Sequence, residues 1–307
     1  MTSSHRGTAC SLAAAAVSGV AVFVNGLAVR RFADATVYTT AKNLVAGAVL
    51  AAVLLVTMWR APARALRMRG AARSHWAVLG LIAAIGGAVP FVLFFEGLAR
   101  ATSTNASFVH KTLVVWVAIG ASIVLRERVG SVHVAAIGLL LIGHLVLSGG
   151  LGAAAFGSAE LLVLAATLLW SVEVLVVKRM LPEVPPELAA TARMVGGSAL
   201  LVAWLGVQGD LGGLTSLDGT QWLWVLLTGA TLAVFVGTWY TALSLAPAVD
   251  VTAVLVLGAV ITGLLDAGFR GVPLTVDSSG YVLIALGVAA IAMRRVDTRP
   301  TGQRLTA

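Results

Sequence analysis

NASFVHKTLVVWVAIGASIVLRERVGSVHVAAIGLLLIGHLVL, residues 105–147, reads as two apolar stretches joined by Arg126, Glu127 and Arg128. Each stretch approaches the roughly 20 apolar residues that cross a bilayer as a helix. The pattern extends outward in both directions. Apolar windows fall at about 10–29, 37–58, 76–98, 103–125, 132–149, 158–179, 188–207, 221–245, 247–268 and 277–293, with charge, Gly or Pro between them. Of the 307 residues, 59% are hydrophobic and 11% charged, where a soluble domain carries about 25% charged residues. There is too little charge to coat soluble helices, so the expected fold is an all-α polytopic membrane protein with ten transmembrane helices.

The charges orient it. With the N-terminus in the cytoplasm, the inside segments hold Arg6, five arginines from Arg60 to Arg73, Arg126 and Arg128, Lys178 and Arg179, and four arginines from Arg294 to Arg304. The outside segments hold only Arg30, Arg31, Arg100 and Arg270. This asymmetry places both termini in the cytoplasm and predicts a multi-pass protein of the cell inner membrane. The net charge of +8 is thereby assigned to topology, and no nucleic-acid signal remains.

The chain also repeats itself. AKNLVAG (41–47) in the second window matches ARMVGG (192–197) in the seventh, and FEGLARA (95–101) in the third matches YTALSLA (240–246) in the eighth. Five helices are thus used twice: residues 1–150 form the first repeat, and residues 151–307 form the second repeat with a cytoplasmic tail. Because five is odd, the second copy enters the membrane from the opposite face. Such a 5+5 inverted repeat predicts two related states and alternating access.

These residues resemble the EamA-type transporters of the drug/metabolite transporter superfamily. The fourth helix ends in a Leu-x-Glu-Arg element with Glu127, and the fifth is centred on Gly138. LLWS (168–171), which opens the second half, and the basic positions of AKNLVAG and ARMVGG add to the resemblance. Two features depart from it. Many relatives have a proline where this chain has Val114, and the ninth helix has Gly258 and Ala259 in the corresponding region. The second-repeat glutamate is also missing, the segment reading GFRGVPL (268–274). The resemblance implies a central cavity lined by helices three, four, eight and nine with one and six, the fifth and tenth lying outside. It further implies transport of a small metabolite, with export the expected direction.

Charges at bilayer depth are expensive, so they mark candidate sites. Lys111 lies about 13 Å along the fourth helix at 1.5 Å per residue. It is either a substrate contact or a snorkelling lysine paired with Glu96 of the third helix. Asn105, Thr112 and Trp116 fall on a helical stripe near it and join it as candidate substrate contacts. His110 points about 100° away from Lys111, toward a neighbouring helix or a proton-sensing role. Phe91 and Trp239 are expected to offer apolar or stacking surface. Glu173, midway along the sixth window, is either a proton carrier or the partner of a base such as Arg193. Lys42 and Arg193 occupy matching repeat positions, as gate charges that attract an anion or as snorkelling residues at helix ends. Glu96 is a rim residue or a partner of Arg100, and Glu127 is structural or gating.

Other classes find little support. Cys10 is the single cysteine, and His75, His133 and His144 lack metal-ligand spacing. No Gly-Lys phosphate loop occurs, so no cofactor or nucleotide is expected. An integral-membrane enzyme or lipid-handling protein would need acids, histidines or arginines gathered on one membrane face, and the charges are scattered instead. A scaffold would leave the buried charges without purpose. The expected partners are a small-molecule substrate, the lipid bilayer, and a coupling proton or ion; the oligomeric state is left open.

Overall fold

Away from water a backbone must satisfy its own N–H and C=O groups, so the apolar windows fold as helices. The computed structural model describes residues 3–100, 109–147 and 157–270, with 280, 282–284, 286–287 and 290 of the last window. The spans are α1 (Arg6–Arg31), α2 (Ala35–Arg60), α3 (Trp76–Leu98), α4 (Val109–Leu125), α5 (Ser131–Leu147), α6 (Ser158–Met180), α7 (Pro186–Gln208), α8 (Gly219–Leu245) and α9 (Ala248–Phe269). Among the described residues, seven of these are long and apolar enough to cross a membrane; α4 and α5 are shorter. The tenth expected span falls mostly outside the described residues.

Local signals set the boundaries. Asp34 accepts from Thr36 N at 2.5 Å and Val37 N at 2.9 Å, capping α2. Asp218 and Gln221 form a reciprocal capping box at the start of α8. Gly209, at φ 79°, takes the left-handed conformation that ends α7.

The basic segment between the second and third windows is a surface helix, Pro62–Ser74. Proline at its first position suits a helix start. Met68 is buried beneath it, and Arg64 pairs with Glu187 at the head of α7.

The spans are apolar outside and polar inside. Leu55, Trp59, Val207 and Leu223 are exposed, whereas Thr39, Lys42, Asn43, Glu173, Arg193 and Thr228 are buried. A water-soluble bundle sorts them the other way, so lipid is the outer solvent.

Packing follows the repeat. α1 packs on α8 and α9, and α6 packs on α3 and α4. α2 packs on α8, and α7 on α3, while α2 and α7 pack on each other. Adding five to each helix number returns the same set of contacts. α5 lies against α4 and α9 through Ala136, Ile137 and Leu140, which join a cluster with Ile284 of the last window.

Three spans are irregular. Ala83–Ala88 of α3 is a π-helical segment. α4 is interrupted at Thr112, whose hydroxyl donates to Val109 O at 2.6 Å in competition with the backbone, and widens again over Ala121–Leu125. α9 is interrupted at Val256, whose N–H turns to Ala253 O. Interruptions thus occur in α4 and α9 without the proline, and Val114 itself sits in regular helix.

Candidate functional site

Arg193 lies seven positions past Pro186, the first residue of α7, about 10 Å into the helix at 1.5 Å per residue. Its side chain does not snorkel. It turns to α6, where Nε stands 2.9 Å from Glu173 Oε1, and both side chains are at most 6% exposed. The N–H points off the oxygen, so this is an ion pair without hydrogen-bond alignment. Tyr240 of α8 supplies the aligned bond, its hydroxyl donating to the same Oε1 at 2.5 Å. Phe91 of α3 lies under the guanidinium at 5.6 Å. Trp170 stands edge-on to Phe91 at 5.4 Å and donates Nε1–H to Gly86 O at 3.0 Å.

Lys42 sits at the matching depth of α2, seven positions past Ala35. It is 3% exposed. Its Nζ donates to Asn25 Oδ1 of α1 at 2.8 Å, and Tyr38 Oη donates to the same oxygen at 2.7 Å. The rings of Phe95, Tyr38 and Phe91 lie 4.0, 5.0 and 5.7 Å from Nζ. No carboxylate pairs with Lys42 among the described residues. Thr39 Oγ1 and Asn43 Oδ1, on the same helix, are buried with no hydrogen-bond partner among the described residues. Phe91 therefore stands between the two basic residues of the repeat and joins two halves of one polar core. The sequence singled out Lys42, Arg193, Glu173 and Phe91; it missed Asn25, Tyr38, Phe95 and Tyr240. The match of FEGLARA with YTALSLA was a usable signal for the last two, since it aligns Phe95 with Tyr240.

The remaining candidates are spread more widely. Lys111 is 8% exposed and has no hydrogen-bond or ion-pair partner among the described residues. Glu96 is taken by Arg100 at 2.6 Å, not by Lys111. Thr112 and Trp116 bond to each other at 3.1 Å on a side where the indole is 38% exposed, so the expected stripe divides at the turn. Asn105 lies outside the described residues. Trp239 is buried in the central apolar cluster and stacks on Phe235 at 6.1 Å. His110 faces α6 and α3, with Thr167 Oγ1 at 3.4 Å and Trp170 and Phe94 around the ring.

One end of the bundle is clamped. Arg126 adopts φ 55°, which ends α4 and lets Glu127 N–H close back on Ala121 O at 3.0 Å. The Glu127 carboxylate then accepts from Ala248 N at 2.9 Å and Val249 N at 3.3 Å, the free donors at the start of α9. On the other side of Pro247, Lys178 Nζ donates to Leu243 O and Ala246 O, both at 2.7 Å, at the end of α8. His133 Nδ1 accepts from Gly130 N, so its Nε2 carries the proton shared with Asp250 Oδ1 at 2.9 Å. Glu127→Ala removes the cap and is expected to destabilise the fold by about 0.5–2 kcal/mol, with Glu127→Gln, which keeps one acceptor, losing less. Thermal unfolding in detergent measures both; equal melting of Glu127→Ala and wild type would remove the capping role.

Among the described residues, no three His, Cys, Asp or Glu side chains are placed to hold a metal ion. A search of curated proteins found no match to this chain. Among solved structures, one described as "Crystal structure of protein" superposes with a TM-score of 0.71 at 19% identity. The match covers 92% of this chain and 98% of that one, which establishes a shared fold. The EamA-like transporter family model matches twice, over residues 5–149 and 157–293. With a polar core built from corresponding helices of those two matches, the chain belongs to the EamA-like transporter family, within the drug/metabolite transporter superfamily.

Proposed function

We propose that this protein is a secondary transporter that moves a small polar or amphipathic metabolite by alternating access, with ten spans in a 5+5 inverted repeat. The observation that carries the reading is the exchange of helix contacts: α1 on α8 and α9 repeats as α6 on α3 and α4. Two copies of one unit that interlock this way can trade conformations, and the trade opens the core first to one side and then to the other. The clamp of Glu127, Lys178, His133 and Asp250 is the closed gate of one side on this reading. The basic segments at that end support a cytoplasmic position for it and for both termini, in the inner membrane. Lys111 and Phe91 contact the substrate, and Glu173 couples a proton by exchanging Arg193 for that proton during the cycle.

Uptake into proteoliposomes, screened over amino acids, purines and cationic drugs with and without a pH gradient, tests the reading. At least one compound is expected to move, faster with the gradient. Glu173→Gln, which keeps the shape and one acceptor, is expected to reduce that uptake to its rate without a gradient. A folded protein that moves none of the compounds counts against transport, and gradient-driven uptake by Glu173→Gln counts against the coupling role.

A further inference from the structure

The two halves of the core are counterparts, residue by residue. In the second repeat, Arg193 on α7 pairs with Glu173 on α6, whose carboxylate also accepts from Tyr240 on α8. In the first repeat, Lys42 on α2 meets Asn25 on α1 and Phe95 on α3. Helix for helix the pattern is one, since α7, α6 and α8 correspond to α2, α1 and α3. The difference is chemical: where the second repeat supplies a carboxylate, the first supplies a neutral amide. Arg193 is neutralised within the protein, whereas among the described residues the single hydrogen-bond acceptor of the buried Lys42 amine is an amide oxygen. Burying a charge without a counter-ion is strongly unfavourable, and the ring faces around Nζ offset only part of it.

From this asymmetry we infer that Lys42 is an anion site, and that the transported substrate supplies the carboxylate that the first repeat lacks. The ammonium has three donors, of which one goes to Asn25. Thr39, one helical turn before Lys42, brings a buried hydroxyl with no partner among the described residues, a further donor on the same face. The surroundings select the rest of the ligand. Phe95, Tyr38 and Phe91 bound the ammonium, and Phe32 packs on Tyr38 at 4.7 Å, so the body next to the carboxylate is apolar or aromatic. One uncompensated positive charge matches one negative charge. A dianion such as phosphate would leave an excess charge among these rings. The substrate class is therefore a monocarboxylate with an apolar or aromatic body. The inference rests on the alternating-access reading, because Lys42 is closed to solvent in this state and the ligand reaches it only when the helices open.

Full-length protein in proteoliposomes, with radiolabelled benzoate as the probe, provides the test. Benzoate is expected to bind saturably, with benzamide, benzylamine and inorganic phosphate failing to displace it. Lys42→Met is expected to weaken benzoate about 10- to 100-fold, the scale of a lost charge-assisted hydrogen bond, and Lys42→Arg to retain most of the binding. Asn25→Asp carries the test where Lys42→Met does not fold. It gives the first repeat its own carboxylate, although it loses the Asn25 Nδ2 bond to Ala21 O, and benzoate is expected to be lost while thermal unfolding shows a folded protein. Absent benzoate binding, displacement by benzamide or phosphate, or full benzoate affinity in folded Asn25→Asp overturns the inference. Substrate counterflow in the same vesicles separates this from the function itself. Transport that is indifferent to Lys42 sinks the anion site and leaves the transporter standing. Lys42-dependent benzoate binding without counterflow of any compound leaves the site standing and sinks transport.

Discussion

Glu173→Leu is expected to destabilise the protein by about 3–5 kcal/mol, the scale for removing one member of a buried ion pair. The loss comes from Arg193, not from the glutamate itself. A guanidinium does not release its proton in a protein, so the variant keeps a buried cation. Among the described residues its remaining contacts are the face of Phe91 at 5.6 Å and the Met194 sulfur at 3.7 Å, neither of them a counter-charge. Tyr240 loses its acceptor at the same time. The reverse variant, Arg193→Met, is expected to be milder, because Glu173 keeps the Tyr240 hydroxyl and a carboxyl can take up a proton. The double variant Glu173→Leu/Arg193→Met removes both charges and is expected to recover most of the stability. Unfolding of the four proteins in mixed micelles completes the cycle. If the double variant is no more stable than Glu173→Leu alone, the energy does not lie in an uncompensated charge.

The spans were readable because lipid fixes both their length and their composition, so ten windows could be marked from apolar runs alone. The helix Pro62–Ser74 was not readable for the same reason: it is short and basic, and it is tied to the bundle by a buried methionine, by Ala71 and Ala72 against the central cluster, and by an ion pair to Glu187. Matching AKNLVAG with ARMVGG correctly set Lys42 and Arg193 at the same register. Snorkelling or burial could not be read there, because the answer lies on other helices. Asn25 and Phe95 hold one cation, and Glu173 and Phe91 hold the other. The stripe of Thr112 and Trp116 with Lys111 assumed an unbroken helix. The Thr112 side chain bonds back to Val109, α4 is interrupted there, and Thr112 and Trp116 bond to each other on an exposed side while Lys111 is buried.

Gly87→Ala is the other large effect, and it tests the interlock of the repeats directly. A Cβ at Gly87 would stand 2.1 Å from Arg193 O and 2.9 Å from Gly197 Cα, so the obstacle is backbone that cannot rotate aside. The counterpart contact recurs in the other half, where a Cβ at Gly229 would meet Lys42 O at 2.8 Å. Small residues at these crossings let α3 and α7, and likewise α8 and α2, approach backbone to backbone. Gly87→Ala forces α3 and α7 apart and is expected to cost at least about 1–3 kcal/mol, the range for overpacking. It also moves Arg193 relative to Phe91, so uptake is expected to fall with stability. Gly138→Ala is the internal control. A Cβ there meets nothing within 4 Å among the described residues, and a helix interior favours alanine over glycine by about 0.8–1.0 kcal/mol. Gly138→Ala should therefore melt at or above the wild-type temperature while Gly87→Ala melts well below it. Equal melting of the two variants would mean that the helix crossings tolerate separation, and the tight exchange of contacts between the repeats would no longer explain the fold.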